Sequence, residues 1–107
     1  MPTRRERIEA MLIEEPRDSL LRYGLAVEFE KEGDTQRALG VFQDLMGDSP
    51  PYVPAFFRAA QMLASVDQVG DARALLRDGI QVARRQGDLH AAGEMSEFLA
   101  SLGNLAE

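Results

Sequence analysis

The sequence predicts an all-α protein assembled from antiparallel helix pairs. Three observations point there. Apolar residues recur at three-to-four spacing within segments of about 12–16 residues, the period of a helix with one buried face. Turn-forming residues punctuate those segments at near-even intervals: Pro16, Gly33-Asp34, Gly47 to Pro51, Asp67 to Gly70, Gly87-Asp88 and Gly103-Asn104. No stretch sustains the period-two alternation of a half-buried strand.

Six helices follow, near residues 4–14, 18–31, 35–46, 54–65, 70–85 and 88–102. The first opens on Thr3-x-x-Glu6, a capping box in which the hydroxyl accepts from a free amide and the glutamate reaches back. Asp18 and Asp34 are expected to cap the second and third, where a carboxylate also meets the positive end of the helix. Pro54 suits the first turn of the fourth, because its missing N–H leaves no bond unmade there. The fifth is expected to run long, since Ile80 to Arg85 are all compatible with helix. Gly79 inside it costs roughly 1 kcal/mol against alanine and therefore marks a close crossing. The sixth keeps helical periodicity through Leu89, Ala92, Met95, Leu99 and Leu102.

Composition narrows the function classes. A chain of 107 residues makes one domain of ordinary size, and 45% apolar with 28% charged residues fits a soluble globular protein. Lys+Arg is 12 against 18 Asp+Glu, a net charge of −6 that disfavours nucleic acid and anionic lipid surfaces. The imbalance is local: residues 51–86 carry five Arg and three Asp, while residues 87–107 carry four acids and no Lys or Arg. Zero Cys removes disulfides, thiol nucleophiles and thiolate metal sites, and a single His removes His-rich zinc sites. No secretory leader or membrane span is visible, so a cytoplasmic location is expected.

The chain repeats itself at a shift of 34 residues. The shift pairs Leu25 with Ala59, Ala26 with Ala60 and Phe29 with Leu63, then Ala38 with Ala72 and Phe42 with Leu76. The first unit reads Arg22-x-x-Leu25-Ala26-x-x-Phe29, Ala38-x-x-x-Phe42 and Pro50; the second reads Phe56-x-x-Ala59-Ala60-x-x-Leu63 and Ala72-x-x-x-Leu76. A two-helix unit of this length, with large, small and aromatic residues at fixed slots, resembles the tetratricopeptide repeat (TPR), and the chain is similar to small bacterial proteins of that family. It departs from the pattern at the bulky first slot, held by Arg22, and at the closing proline, held in the second unit by Arg84. Ile8, Met11 and Pro16 fall in the slots of Phe42, Leu45 and Pro50, so the first helix resembles the second half of a preceding repeat.

The organisation implied is one TPR-like domain over 1–107. It comprises an N-terminal half-repeat helix (3–15), two repeats (18–51 and 52–86), a capping helix (87–102) and a tail (103–107). Glu94 and Glu97 stand where a further repeat would place Ala60 and Leu63, which fits a cap with one wet face. Gly87-Asp88-x-x-x-Ala92 also echoes the turn and second helix of a repeat, which leaves two registers for this helix. If Gly33 turns its helix end in the left-handed conformation, its counterpart Asp67 is expected to do the same. The resemblance further implies a short right-handed superhelix.

What the resemblance implies for function is a non-enzymatic protein–protein interaction module. Members bind a peptide segment or partner protein on a concave face lined by the first helix of each repeat. Here that face offers Tyr23 and Val27, then Phe57, Arg58 and Gln61, with Tyr23 and Phe57 themselves 34 residues apart. Aromatic and arginine side chains are the commonest interface anchors. The alternative is a self-associating assembly protein, a homo-oligomer in which a second copy covers the face. The subset of the family that clamps chaperone C-termini needs Lys and Asn where this chain has Tyr23, Val27 and Arg58, so such a clamp is not expected.

No catalytic constellation accompanies these residues. His90 has no second His or Cys, and Glu14-Glu15, Glu28-x-Glu30-x-Glu32 and Glu94-x-x-Glu97 read as solvated helix faces. Gly33, Gly47 and Gly70 are isolated turn residues without a phosphate-cradling loop. Pro50-Pro51-Tyr52 reads as an ordered connection, and Arg73, Arg77 and Arg84 as one side of the fifth helix facing water. No cofactor, metal, nucleic-acid or membrane partner is expected.

Overall fold

The computed structural model describes residues 1–103. They form six helices and, among the described residues, no strand: α1 (Arg4–Glu14), α2 (Ser19–Lys31), α3 (Thr35–Met46), α4 (Val53–Ser65), α5 (Val69–Arg85) and α6 (Leu89–Gly103). The expected tail lies, from residue 104 on, outside the described residues. Contacts divide the chain into two compact units, Met1–Tyr52 and a second that begins at Val53.

In the first unit α2 packs against both α1 and α3. The capping box at α1 is complete, since Glu6 N–H donates to Thr3 Oγ1 (3.1 Å) and Thr3 N–H donates to Glu6 Oε1 (3.0 Å). Asp18 accepts from Leu21 N–H at 2.8 Å and Asp34 from Arg37 N–H at 3.1 Å, so both aspartates cap as their positions imply. Arg4 reaches Glu28 (3.2 Å) and Arg5 reaches Glu32 (2.7 Å), which puts the start of α1 beside the end of α2 and makes the pair antiparallel. Ala26, Ala38, Phe42 and Leu45 are fully enclosed, and Phe29 is buried with Arg5 and Arg37 over its ring at 5.4 and 5.7 Å. Each large side chain so enclosed contributes about 1.5–3 kcal/mol.

In the second unit α5 is the central helix, packed against both α4 and α6, which also touch each other. Its length reflects that double duty. Ala72, Leu76, Ile80 and Ala83 are buried, and so is Gly79. A Cβ placed on Gly79 would stand 2.6 Å from Phe56 Cβ and 2.7 Å from Met95 Sδ, so α4 and α6 both close on this one residue. The close crossing expected there is present. α6 buries Ala92, Met95 and Leu102, while Gly93, Glu94 and Glu97 face outward.

One turn recurs three times. Gly33, Asp67 and Gly87 carry φ of 81°, 64° and 77°, and Asp67 is the non-glycine residue the repeat places there. In each case the next amide donates five residues back: Asp34 to Phe29 (2.9 Å), Gln68 to Leu63 (2.9 Å) and Asp88 to Ala83 (2.8 Å). In each case a buried alanine follows, at Ala38, Ala72 and Ala92. The turn into α6 is therefore built like those joining the two helices of a repeat.

Candidate functional site

The expected interaction residues lie on α2 and α4. On α2, Tyr23 and Val27 are half-buried and line one groove of about 500 Å³ between α1 and α2. Tyr23 is held by its neighbours: its ring meets Phe42 edge-on (5.9 Å, 61°) and Tyr52 at a tilt (5.8 Å, 59°). Three aromatics from α2, α3 and the loop before α4 thus fix the position of a ring whose edge stays accessible. Beside it, Leu20 and Met11 are 70% and 49% exposed, an unusual concentration of open apolar surface for so small a unit.

Charge frames that groove. Arg4, Arg7 and Lys31 stand on its rim with Glu28. Glu28 is already engaged, by Arg4 at 3.2 Å and Lys31 at 3.3 Å. The local balance is cationic in a chain of net charge −6.

On α4, Phe57 is half-buried against Phe98 of α6, with ring centroids 5.9 Å apart. The last helix therefore covers part of this aromatic. Arg58 is half-buried and Gln61 is exposed. Tyr23 and Val27 are brought together within the first unit; Phe57, Arg58 and Gln61 belong to one helix of the second.

One arrangement was not foreseen. Arg22, in the slot where the repeat pattern expects an apolar side chain, is 8% exposed and bonds Asp48 twice, from Nη1 to Oδ2 (2.6 Å) and from Nη2 to Oδ1 (3.2 Å). Arg17 adds a third contact at 3.3 Å. The hydrogen bond from Arg22 holds the Asp48 carboxyl below the usual carboxylate range. The bulky slot is not lost: an arginine stem fills it while the forked head ties α2 to the turn after α3. A buried charge needs a counter-charge, and Asp48, just before the prolines, is the acid within reach.

Among the described residues, no group of three or more His, Cys, Asp or Glu could hold a metal ion. His90 is exposed and pairs with Glu94 on its own helix (3.4 Å). No described helix is long and apolar enough to cross a membrane.

No protein-family model matches the chain. A TPR repeat-containing protein of Pseudomonas aeruginosa is 29% identical over 97 residues, which span 91% of this chain and 92% of that protein. Among solved structures, a tetratricopeptide repeat domain protein from Salinibacter ruber is 29% identical with a TM-score of 0.73, over 83% of this chain and 99% of that one. A protein from Bordetella parapertussis is 26% identical with a TM-score of 0.81, over 97% of this chain and 90% of that one. Repeat length, helix pairing and likeness to these bacterial proteins agree: the chain has a tetratricopeptide-repeat fold and is similar to small bacterial proteins of that kind.

Proposed function

We propose that the protein is a non-enzymatic interaction module that takes a short peptide segment or partner protein on the faces of α2 and α4. The observation that carries the reading is the α2 groove, where Tyr23, braced by Phe42 and Tyr52, stands beside Val27 and the open side chains of Leu20 and Met11. A rigid aromatic next to uncovered aliphatic surface is the composition of an interface anchor. On α4 the corresponding contributors are Phe57, Arg58 and Gln61. The TPR fold supports protein–protein interaction as the general class of activity. A peptide array probed with the wild type and with a Tyr23→Ala/Phe57→Ala variant tests it, with circular dichroism confirming that both are folded. Retention of every positive spot by a folded double variant refutes the assignment.

A second reading is favoured by the exposure of Leu20 (70%) and Met11 (49%): a second copy covers this surface. Sedimentation velocity at micromolar concentration separates the two, since a monomer excludes self-covering.

A further inference from the structure

We infer that the groove between α1 and α2 receives an amphipathic helix of a partner protein, apolar along one stripe and flanked by carboxylates. The inference deepens the proposed function and rests on α2 being a partner-binding face. Its first support is the internal repeat. Ile8 and Met11 of α1 fall in the slots of Phe42 and Leu45 of α3. Both α3 residues are fully enclosed, with α2 packed alongside that helix, whereas Met11 remains 49% exposed. α1 takes the second-helix position of a repeat, and among the described residues no helix lies over the groove it forms with α2.

The second support is charge. The groove floor is apolar, and its rim carries Arg4, Arg7 and Lys31 against Glu28 alone. Glu28 is paired with Arg4 and Lys31, so an entering helix meets net positive charge beside an aliphatic strip, concentrated on the α1 side at Arg4 and Arg7. α1 already holds one helix by the same chemistry: α2 lies on it through Ile8, 3.5 Å from where a Cβ on Gly24 would stand, and through Glu28 and Glu32 bound to Arg4 and Arg5. A second helix with acidic flanks repeats those contacts on the open side. Opposite charge then sets which helices dock and in which orientation.

The test uses the full chain and two designed fluorescent helical peptides with the same leucine stripe, one flanked by glutamates and the other by lysines. Fluorescence anisotropy is expected to show about tenfold tighter binding of the acidic peptide at low salt, a gap that narrows as salt screens the rim. The Arg7→Glu/Lys31→Glu variant is expected to invert the preference, and Met11→Glu to weaken both peptides; thermal melts verify that each variant folds. Equal binding of both peptides, or a preference unchanged by charge reversal, overturns the inference while leaving α2 as a partner face. No binding of either peptide overturns it as well, and the peptide array then decides the broader reading by itself. A dimer in sedimentation that Met11→Glu dissolves assigns the groove to a second copy and also overturns it.

Discussion

Replacing Gly79 by alanine sets two opposed effects against each other at one helical position. In a helix interior the change gains about 1 kcal/mol of intrinsic propensity, chiefly by restricting the unfolded chain. Against that, the new methyl would meet Phe56 Cβ at 2.6 Å, Met95 Sδ at 2.7 Å and Phe56 Cγ at 3.0 Å. The methionine sulfur is flexible and can swing away. Phe56 Cβ is fixed to the backbone of α4, so α4 itself must shift away from α5, and overpacking of that kind costs about 1–3 kcal/mol. The upper part of that range applies here, which leaves a net loss of about 1–2 kcal/mol. Gly93 on α6 is the control, because it is also helical but a Cβ there meets nothing within 4 Å. Gly93→Ala is expected to gain about 0.5–1 kcal/mol. Urea denaturation followed by circular dichroism reads both, and the two variants should shift the midpoint in opposite directions. If Gly79→Ala proves as stable as Gly93→Ala, the three-helix crossing at α5 is wrongly described.

Other substitutions probe the remaining features. Ala38→Leu and Ala72→Leu, both at fully enclosed sites, should each lose about 1–3 kcal/mol in thermal melts by overpacking. Asp67→Gly should gain about 0.5–1 kcal/mol by relieving the left-handed conformation at φ 64°, and Gly33→Ala, at φ 81°, should lose a similar amount. The Asp48 carboxyl titrates below its ordinary value of 3.8, so its stabilising pairing with Arg22 is complete above that pH and is lost as the pH falls through the lowered value. Acid titration of wild type and Asp48→Asn should therefore converge at low pH after differing at neutral pH. Asp48→Val alone should destabilise by leaving Arg22 unpaired, and Arg22→Phe added to it should restore much of the loss in urea melts at neutral pH.

The fold was legible because the helices obey local rules. Thr3, Asp18 and Asp34 announce helix starts through their own side-chain bonds, and the 34-residue shift fixes which alanines must be enclosed. Gly79 could be read as a crossing because a glycine inside a helix needs a reason to be there. Arg22 was harder, since a charged residue in an apolar slot looks like a departure until its partner is known, and Asp48 lies 26 residues away with an ordinary turn around it. The same shift contains the clue in retrospect: it pairs Arg22 with Phe56 and Asp48 with Val82, an ion pair in one repeat against two buried apolar residues in the other. The contact of Phe57 with Phe98 was hidden for a different reason. It depends on how α6 docks, and the two registers open to that helix gave different neighbours.

The thrice-used turn has a consequence for how such a chain can be lengthened or rearranged. Gly33 and Asp67 stand 34 residues apart, but Asp67 and Gly87 stand 20 apart, so the same joint serves both inside a repeat and at its far end. A joint indifferent to its place makes the helices behave as interchangeable parts. The six residues from Gly33 to Ala38 should substitute for those from Gly87 to Ala92 with α6 still docked on α5. Chains of this kind can thus gain or lose single helices rather than whole pairs.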